Sequence, residues 1–259
     1  MKQKLFFLTS LPRAGNTLLS SILNQNPDIA STANSIILDI FKNLNQSKSN
    51  DIYKNFPDEK SFDNVIRGIF PNYYKDWPQK YIIERSPIGK PGNYDFIKKY
   101  FDQPLKCIVL VRDLLDILAS FMKWWNNNPN ALINRQASTD EDKLKMMFNN
   151  DTGFVAQLES VRFLMELQNK NVTCFVKYDD LITNPQSQIQ KIYNFLEIPK
   201  FEHNYNSISQ LKLNGYSYDD SYIGDNLHTI RTDGIYKEDN PYRSLIPPYI
   251  VKKYGHIKF

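Results

Sequence analysis

A short segment near the start of the chain combines residue types that bind anions. The apolar run Leu5–Leu8 is followed by Pro12, Arg13 and Gly15, after which apolar residues resume at helical spacing. This pattern predicts a buried strand, a tight turn and a helix. Such a turn presents backbone N–H groups and the positive end of the helix dipole to an anion, and the Arg13 guanidinium and Thr17 hydroxyl add hydrogen bonds. The segment is therefore predicted to bind an anion.

The spacing of this turn separates it from one common class of anion site. The P-loop of nucleotide triphosphatases reads G-x-x-x-x-G-K-[ST], and the turn lacks both the first glycine and the lysine. That lysine contacts the β- and γ-phosphates, so its absence argues against ATP or GTP hydrolysis. The pattern P-R-x-G-x-T-L-L instead resembles the 5′-phosphosulfate loop of the sulfotransferase family, whose donor is 3′-phosphoadenosine 5′-phosphosulfate (PAPS). The resemblance implies that the 5′-phosphosulfate is held by Arg13, Ala14, Gly15, Asn16, Thr17 and Leu18.

A second motif follows the strongest strand pattern in the chain, Lys106–Arg112. Asp113 is a good N-cap for the apolar helix that comes next. Arg112, Asp113, Asp116 and Ser120 match the pattern R-D-x-x-D-x-x-x-S, which resembles the 3′-phosphate motif of sulfotransferases. The resemblance implies that Arg112 and Ser120 hold the 3′-phosphate and select this donor over ATP.

A third motif begins where the next predicted strand, Val172–Tyr178, ends. The residues Y-D-D-L-x-x-N-P start at Tyr178, and Asn184 and Pro185 open a helix that ends at Leu196. This resembles the Y-E-D-L-x-x-x-P segment of sulfotransferases and implies that Tyr178 belongs to the donor site. The three matches occur in family order across residues 5–199.

Beyond Pro199 the chain becomes irregular and rich in Tyr, Asn, Ser and Asp. Within it, Thr229–Lys237 resembles the C-terminal segment of the family, in which basic residues close over the donor. The resemblance implies that Arg231 and Lys237 contact the donor. A short final helix is predicted to start at Pro247.

The residue that would deprotonate the acceptor is not identified by these motifs. Some relatives carry a Glu where this chain has Asn34 and Ser35, and others use a His well downstream of the loop. The histidines here, His203, His228 and His256, all lie near the C-terminus.

The remaining candidates for catalysis lie on elements close to the loop. Asp39, on the predicted helix that follows, and Glu84, at the end of the predicted strand Lys80–Arg85, are the candidate bases, and Asn34 is a candidate to orient the acceptor hydroxyl. Arg85 matches a position where many relatives carry a Lys. It is therefore predicted to bind the sulfuryl oxygens or the leaving group.

The order of the predicted elements sets the fold class. Strands alternate with helices, which predicts a mostly parallel sheet with right-handed crossovers. Helices are predicted near residues 36–44, 61–70, 114–121 and 140–169, the last with an interruption near Gly153, and residues 46–58 read as a loop. Together with the resemblance, this predicts a three-layer α/β fold, a mostly parallel β-sheet flanked by helices, of the P-loop NTPase-like sulfotransferase type. One domain is predicted over residues 1–259, with an irregular C-terminal segment from about residue 200.

Composition limits the class of protein and its partners. The chain has 259 residues, 41% hydrophobic and 23% charged, and a mean hydropathy of -0.50, which is typical of a soluble globular protein. No apolar run approaches the length of a membrane span. Cys107 and Cys174 lie in apolar strand patterns and are predicted to be buried free thiols, which favours a cytoplasmic protein.

Charge and ligand spacing suggest an anionic cofactor. The net charge of +4 is spread along the chain, which suits an anionic cofactor, and no nucleic-acid partner is expected. With three His and two separated Cys there is no metal-site spacing, so the predicted cofactor is PAPS, with product PAP and no metal.

Three functions are compatible with these patterns. The first is an enzyme that moves a sulfuryl group from PAPS to a hydroxyl or amine of a small-molecule, carbohydrate or peptide acceptor. The second is a nucleotide kinase or hydrolase of the P-loop class, which the missing lysine and the pair Arg112 and Ser120 disfavour. The third is a catalytically inactive protein that binds PAPS or PAP.

Overall fold

The structure is a computed structural model. It describes residues 3–32, 35–90, 92–149, 153–167, 171–237, 239–257 and 259. The strands are β1 (Lys4–Ser10), β2 (Ile29–Ser31), β3 (Tyr81–Arg85), β4 (Cys107–Val111), β5 (Thr173–Lys177), β6 (Lys212–Leu213) and β7 (Tyr216–Ser217). The helices are α1 (Asn16–Leu23), α2 (Ile37–Gln46), α3 (Asp51–Asn55), α4 (Glu59–Tyr73), α5 (Asn93–Tyr100), α6 (Leu114–Asn126), α7 (Asp140–Met147), α8 (Gly153–Glu166), α9 (Tyr178–Thr183), α10 (Pro185–Leu196) and α11 (Pro248–Tyr254). Short 3-10 turns occupy Ser47–Ser49, Leu132–Arg135 and Pro241–Leu245.

A five-stranded parallel sheet forms the centre of the molecule. Its strand order is β2-β3-β1-β4-β5. The strands are apolar and buried on both faces, and helices cover them, so the predicted three-layer α/β fold is confirmed. From β1 the chain moves to one side of the sheet for β2 and β3 and to the other side for β4 and β5. The carboxyl end of β1 is therefore the switch point at which open α/β sheets bind ligands.

The structure bears out the predicted interruption of one helical region and corrects one predicted loop. The region 140–169 is interrupted near Gly153, because α7 ends at Met147 and α8 begins at Gly153; residues 150–152 and 168–170 lie outside the described part of the chain. The predicted loop at residues 46–58 contains a 3-10 turn and α3. The Asn50 side chain caps α3 by accepting a hydrogen bond from the backbone N–H of Ile52 at 2.9 Å. A cap of this kind stabilises a helix too short to show an apolar period.

The C-terminal segment is irregular, as predicted. It contains the antiparallel pair β6 and β7, the 3-10 turn at Pro241–Leu245 and α11. Cys107 and Cys174 are buried free thiols, which confirms that prediction. Among the described residues, no helix is both long and apolar enough to cross a membrane.

Candidate active site

The loop between β1 and α1 depends on two left-handed backbone conformations. Arg13 has φ 63° and Gly15 has φ 101°. A Cβ atom at Gly15 would lie 2.6 Å from the ring of Tyr178, so a larger residue would meet both backbone strain and that ring. No side chain of the described residues caps the N-terminus of α1. The first backbone N–H groups of this helix therefore lack intrahelical partners and point to the space outside it.

Side chains behind the loop hold it in place. The Asn16 amide donates to the Leu11 carbonyl at 3.1 Å, and its oxygen accepts a hydrogen bond from Ser10. Asn16 and Ala14 are both buried. Their side chains therefore support the loop from within.

A cavity of about 1130 Å³ opens at the carboxyl ends of β1, β3, β4 and β5. The predicted site residues that line it are Arg13, Gly15, Asn16, Thr17, Leu18, Arg85, Arg112, Ser120, Tyr178, Arg231 and Lys237. Ala14, Glu84 and Asp39 do not line it, and Asn34 lies outside the described residues. The cavity thus brings together residues from the loop, from three strand ends and from the C-terminal segment.

Arg13 connects the two predicted phosphate motifs. Its Nε donates to Ser120 Oγ at 3.1 Å, and a terminal nitrogen donates to the Leu227 carbonyl oxygen. Burial, together with the nearby Arg112, lowers the pKa of Arg13 to about 10. The guanidinium is still protonated at neutral pH. It therefore remains a cation that links α1, α6 and the C-terminal segment.

Arg112 lies beside Arg13 and has unused hydrogen-bonding capacity. Its Nη1 donates to the Arg13 carbonyl at 2.9 Å, and the guanidinium lies 4.3 Å from the centre of the Tyr178 ring. Its Nε is buried and finds no acceptor among the described residues. A buried N–H without an acceptor is costly, so an anion that supplied an oxygen here would be stabilised.

The C-terminal segment adds a pair that the motifs did not identify. The His228 ring lines the cavity, and its Nδ1 lies 2.6 Å from Asp220 Oδ1. The Tyr218 ring stacks on the imidazole, and the hydroxyl of Tyr218 accepts a hydrogen bond from Arg85 at 2.9 Å. The only sequence signal for this pair was the position of His228 directly before the segment Thr229–Lys237, which resembles a donor-covering segment.

Three further cations lie on the same segment. Arg231 donates to the Tyr236 carbonyl at 2.8 Å, and Lys237 lies 3.7 Å from Asp179. Arg243, which the motifs also missed, pairs with both Asp113 and Asp116 and lies 2.8 Å from the former. All three residues line the cavity.

The two candidate bases near the loop lie outside the cavity lining. Glu84 is fully buried and accepts hydrogen bonds from the hydroxyls of Tyr74, Ser86 and Thr32; burial raises the pKa of its carboxyl. Asp39 is exposed in the first turn of α2. Their roles, like that of Asn34, stay predictions. No group of three or more His, Cys, Asp or Glu side chains within the described residues is arranged to hold a metal.

Solved structures similar to this chain share its fold. The sulfotransferase domain of the Synechococcus PCC 7002 olefin synthase is 20% identical, with a TM-score of 0.53, over 100% of this chain and 90% of that one. The sulfotransferase domain from the curacin biosynthetic pathway is 15% identical, with a TM-score of 0.52, over 100% of this chain and 92% of that one. No curated protein matches the chain significantly.

A family model extends the likeness to the sequence. The model for the sulfotransferase domain matches residues 3–220, which include the loop, both predicted phosphate motifs and the Asp220 side chain. The match covers most of the chain. The chain therefore belongs to the sulfotransferase family, whose members are enzymes that transfer a sulfuryl group.

Proposed function

We propose that this sulfotransferase takes its sulfuryl group from PAPS and transfers it to a hydroxyl or amine acceptor, with the donor in the cavity described above. The observation that carries the proposal is that Arg13, Arg85 and Arg112 line the same cavity as the N-terminus of α1. Three guanidiniums and uncapped backbone N–H groups favour a ligand with several negative charges. A 3′,5′-phosphorylated nucleotide has its charges at two ends, and the cavity is large enough for both.

Different residues of the cavity would bind different parts of PAPS. The loop backbone and Thr17 would hold the 5′ end, and Arg112 with Ser120 would hold the 3′-phosphate. The buried Nε of Arg112 supports this assignment, because it lacks an acceptor among the residues the structure describes. Arg85 and Arg13 would stabilise the charge that develops on the oxygen atoms around the transferred group. When bound, PAPS supplies that sulfuryl group.

One contact would have to change when the donor binds. The resemblance assigns Arg13 and Ser120 to opposite ends of PAPS, yet Arg13 Nε donates to Ser120 Oγ at 3.1 Å. In the bound state the 5′-phosphosulfate would accept from Arg13 and the 3′-phosphate would accept from Ser120, in place of that hydrogen bond. We expect Arg13 to exchange a neutral acceptor for a charged one, which strengthens the hydrogen bond.

The acceptor class stays open among small molecules, carbohydrates and peptides, and we expect no nucleic-acid partner. We also propose that residues 1–259 act as one domain in the cytoplasm. The buried thiols Cys107 and Cys174 support a reducing compartment.

Calorimetry tests the donor directly. We expect PAP to bind more tightly than ATP, and Arg112→Ala to weaken PAP binding about 10- to 100-fold, as loss of a charged hydrogen bond predicts. Arg67→Ala is the matched control, because Arg67 pairs with Asp102 at the surface outside the cavity lining. Tight ATP binding with no response to PAP would overturn the proposal in favour of a nucleotide kinase or hydrolase.

Transfer of labelled sulfate from PAPS separates the enzyme from an inactive binder. Label should appear in at least one of a phenol, an oligosaccharide, a tyrosine peptide and an aliphatic amine. Tight PAP binding with no transfer to any of them would favour the inactive binding protein.

A further inference from the structure

Asp220 fixes the orientation and the tautomer of His228. Its carboxylate accepts the backbone N–H of residue 228 at 2.9 Å and lies 2.6 Å from the Nδ1 atom of the ring. A carboxylate only accepts hydrogen bonds, so Nδ1 carries the hydrogen. In the neutral imidazole the lone pair is then on Nε2.

The stack with Tyr218 fixes the plane of the imidazole. The two ring centres are 3.7 Å apart and the planes differ by 2°. The Tyr218 hydroxyl accepts from Arg85 Nη1 at 2.9 Å, so this stack is tied to the end of β3. His228 lines the cavity, and its Nε2 has no hydrogen-bond partner among the described residues. The unshared lone pair is therefore free to accept a proton from a ligand.

The charges around the ring favour its neutral form. Burial lowers the pKa of His228, and the nearby guanidiniums of Arg85 and Arg13 lower it further, whereas Asp220 raises it. The charged and titratable groups that face the ring are these three and Tyr218. A neutral imidazole is the form that acts as a base.

We propose that His228 is the general base of the transfer and that Asp220 is its positioning residue. The inference rests on the proposed function. In the step, Nε2 takes the proton of the acceptor hydroxyl while the acceptor oxygen forms a bond to sulfur. The bond from sulfur to the 5′-phosphate oxygen breaks, and its electron pair stays on that oxygen. The imidazolium then returns the proton to solvent.

Two features favour His228 over Glu84 and Asp39 as the general base. His228 lines the cavity that also contains Arg85 and the loop, whereas Glu84 and Asp39 do not. Its Nε2 makes no hydrogen bond with the described residues, whereas the Glu84 carboxylate already accepts from three hydroxyls. Leu227, the preceding residue, also binds Arg13 through its carbonyl, so the histidine is held next to the anion loop.

Nitrogen-15 NMR of the imidazole rings tests the tautomer without an acceptor. The chain has three histidines, so His228→Gln assigns the signal by its disappearance. We expect the His228 ring at neutral pH to be uncharged with hydrogen on Nδ1. Asp220→Asn should move the hydrogen to Nε2, because the amide nitrogen donates where the carboxylate accepted. An imidazolium, or hydrogen on Nε2 in the wild type, would overturn the proposal.

Steady-state kinetics test whether Nε2 of His228 accepts the proton. Transfer of the labelled sulfuryl group from PAPS is measured with 2-naphthol, a tyrosine peptide, an oligosaccharide and water as acceptors. His228→Gln should lower kcat about 100-fold or more, which is within the range for general base catalysis, and leave PAP affinity unchanged. His256→Gln, which alters an exposed histidine, is the matched control and should retain wild-type kcat.

The outcomes separate this inference from the proposed function. Wild-type turnover by His228→Gln, or loss of its PAP binding, would overturn the role of His228 as base. Asp220→Asn should lower kcat and change its pH profile with little change in KM; a change in KM alone would remove Asp220 as the positioning residue. Absence of PAP binding by the wild type would instead overturn the proposed function.

Discussion

The loop at residues 11–15 and the segment at residues 218–243 line one cavity, but the chain builds them differently. The loop is shaped by neighbours in sequence, as in the hydrogen bond from the backbone N–H of Ala14 to the Leu11 carbonyl. The segment is placed by contacts across the chain. Arg13 and Leu227 are 214 residues apart, and the indole of Trp124 donates to the Asp225 carbonyl across 101 residues.

This difference separates two kinds of functional residue. Anion binding needs a helix N-terminus and guanidiniums at fixed spacing, and such spacing is visible in a sequence. A proton acceptor needs only one ring at the right place, and that place is set by tertiary contacts. The histidine on the irregular segment therefore carries no local pattern that marks it.

The largest expected effect comes from the loop itself. Gly15→Ala forces a Cβ into the Tyr178 ring at a left-handed φ, and we expect the free energy of unfolding to fall by about 2–4 kcal/mol and PAP binding to be lost. Gly92→Ala is the matched control, since Gly92 also has a positive φ but no atom within 4 Å of the added Cβ. Gly92→Ala should lower the free energy of unfolding by about 1 kcal/mol, which is the cost of backbone strain alone.

Equal effects of the two alanine variants on stability and PAP affinity, measured by denaturant unfolding and calorimetry, would contradict the close packing of loop and Tyr178.

A variant with a smaller expected effect tests whether Glu84, rather than His228, is the general base. Glu84→Gln keeps the shape of a buried side chain, and we expect kcat to be unchanged because Glu84 lies outside the cavity lining. Loss of turnover with intact PAP binding would make Glu84 the base and would contradict the assignment of His228.

The same variant has a predicted pH dependence. Burial raises the pKa of Glu84 above its ordinary value of 4.5, so its contribution to stability is present at low pH and is lost as pH rises through the folded pKa. The stability of Glu84→Gln relative to the wild type should therefore increase with pH above 4.5. Unfolding followed across pH measures this, and an opposite slope would contradict a raised pKa.

The smallest expected effect concerns the outer contacts of the segment. Arg243→Ala removes a partly exposed pair with Asp113 and Asp116, and we expect a loss of about 0.5–1 kcal/mol that shrinks in high salt. Lys54→Ala, which removes an exposed pair with Asp51, should have no measurable effect. Thermal unfolding at two salt concentrations distinguishes the two variants. An effect of Arg243→Ala that is independent of salt would contradict an electrostatic contact.

The sequence allowed the parallel sheet, the loop and the two phosphate motifs to be predicted, because strand burial and anion binding leave periodic patterns. It did not indicate β2, since three residues are too few to show a period. It also did not indicate α3, which has five residues and a side-chain cap in place of a buried face. Asp220 and Arg243 were missed for another reason. Arg243 pairs with Asp113 and Asp116 at the start of α6, and these contacts form only when the C-terminal segment packs there. Asp220 pairs with His228 within the irregular segment, where no periodic pattern links the two residues.

We infer that the loop and the C-terminal segment together form one donor site. Hydrogen–deuterium exchange with and without PAP tests it most directly. We predict that PAP slows amide exchange both in residues 11–18 and in residues 227–237. Protection of the loop alone, or of neither region, would contradict a single site built from both.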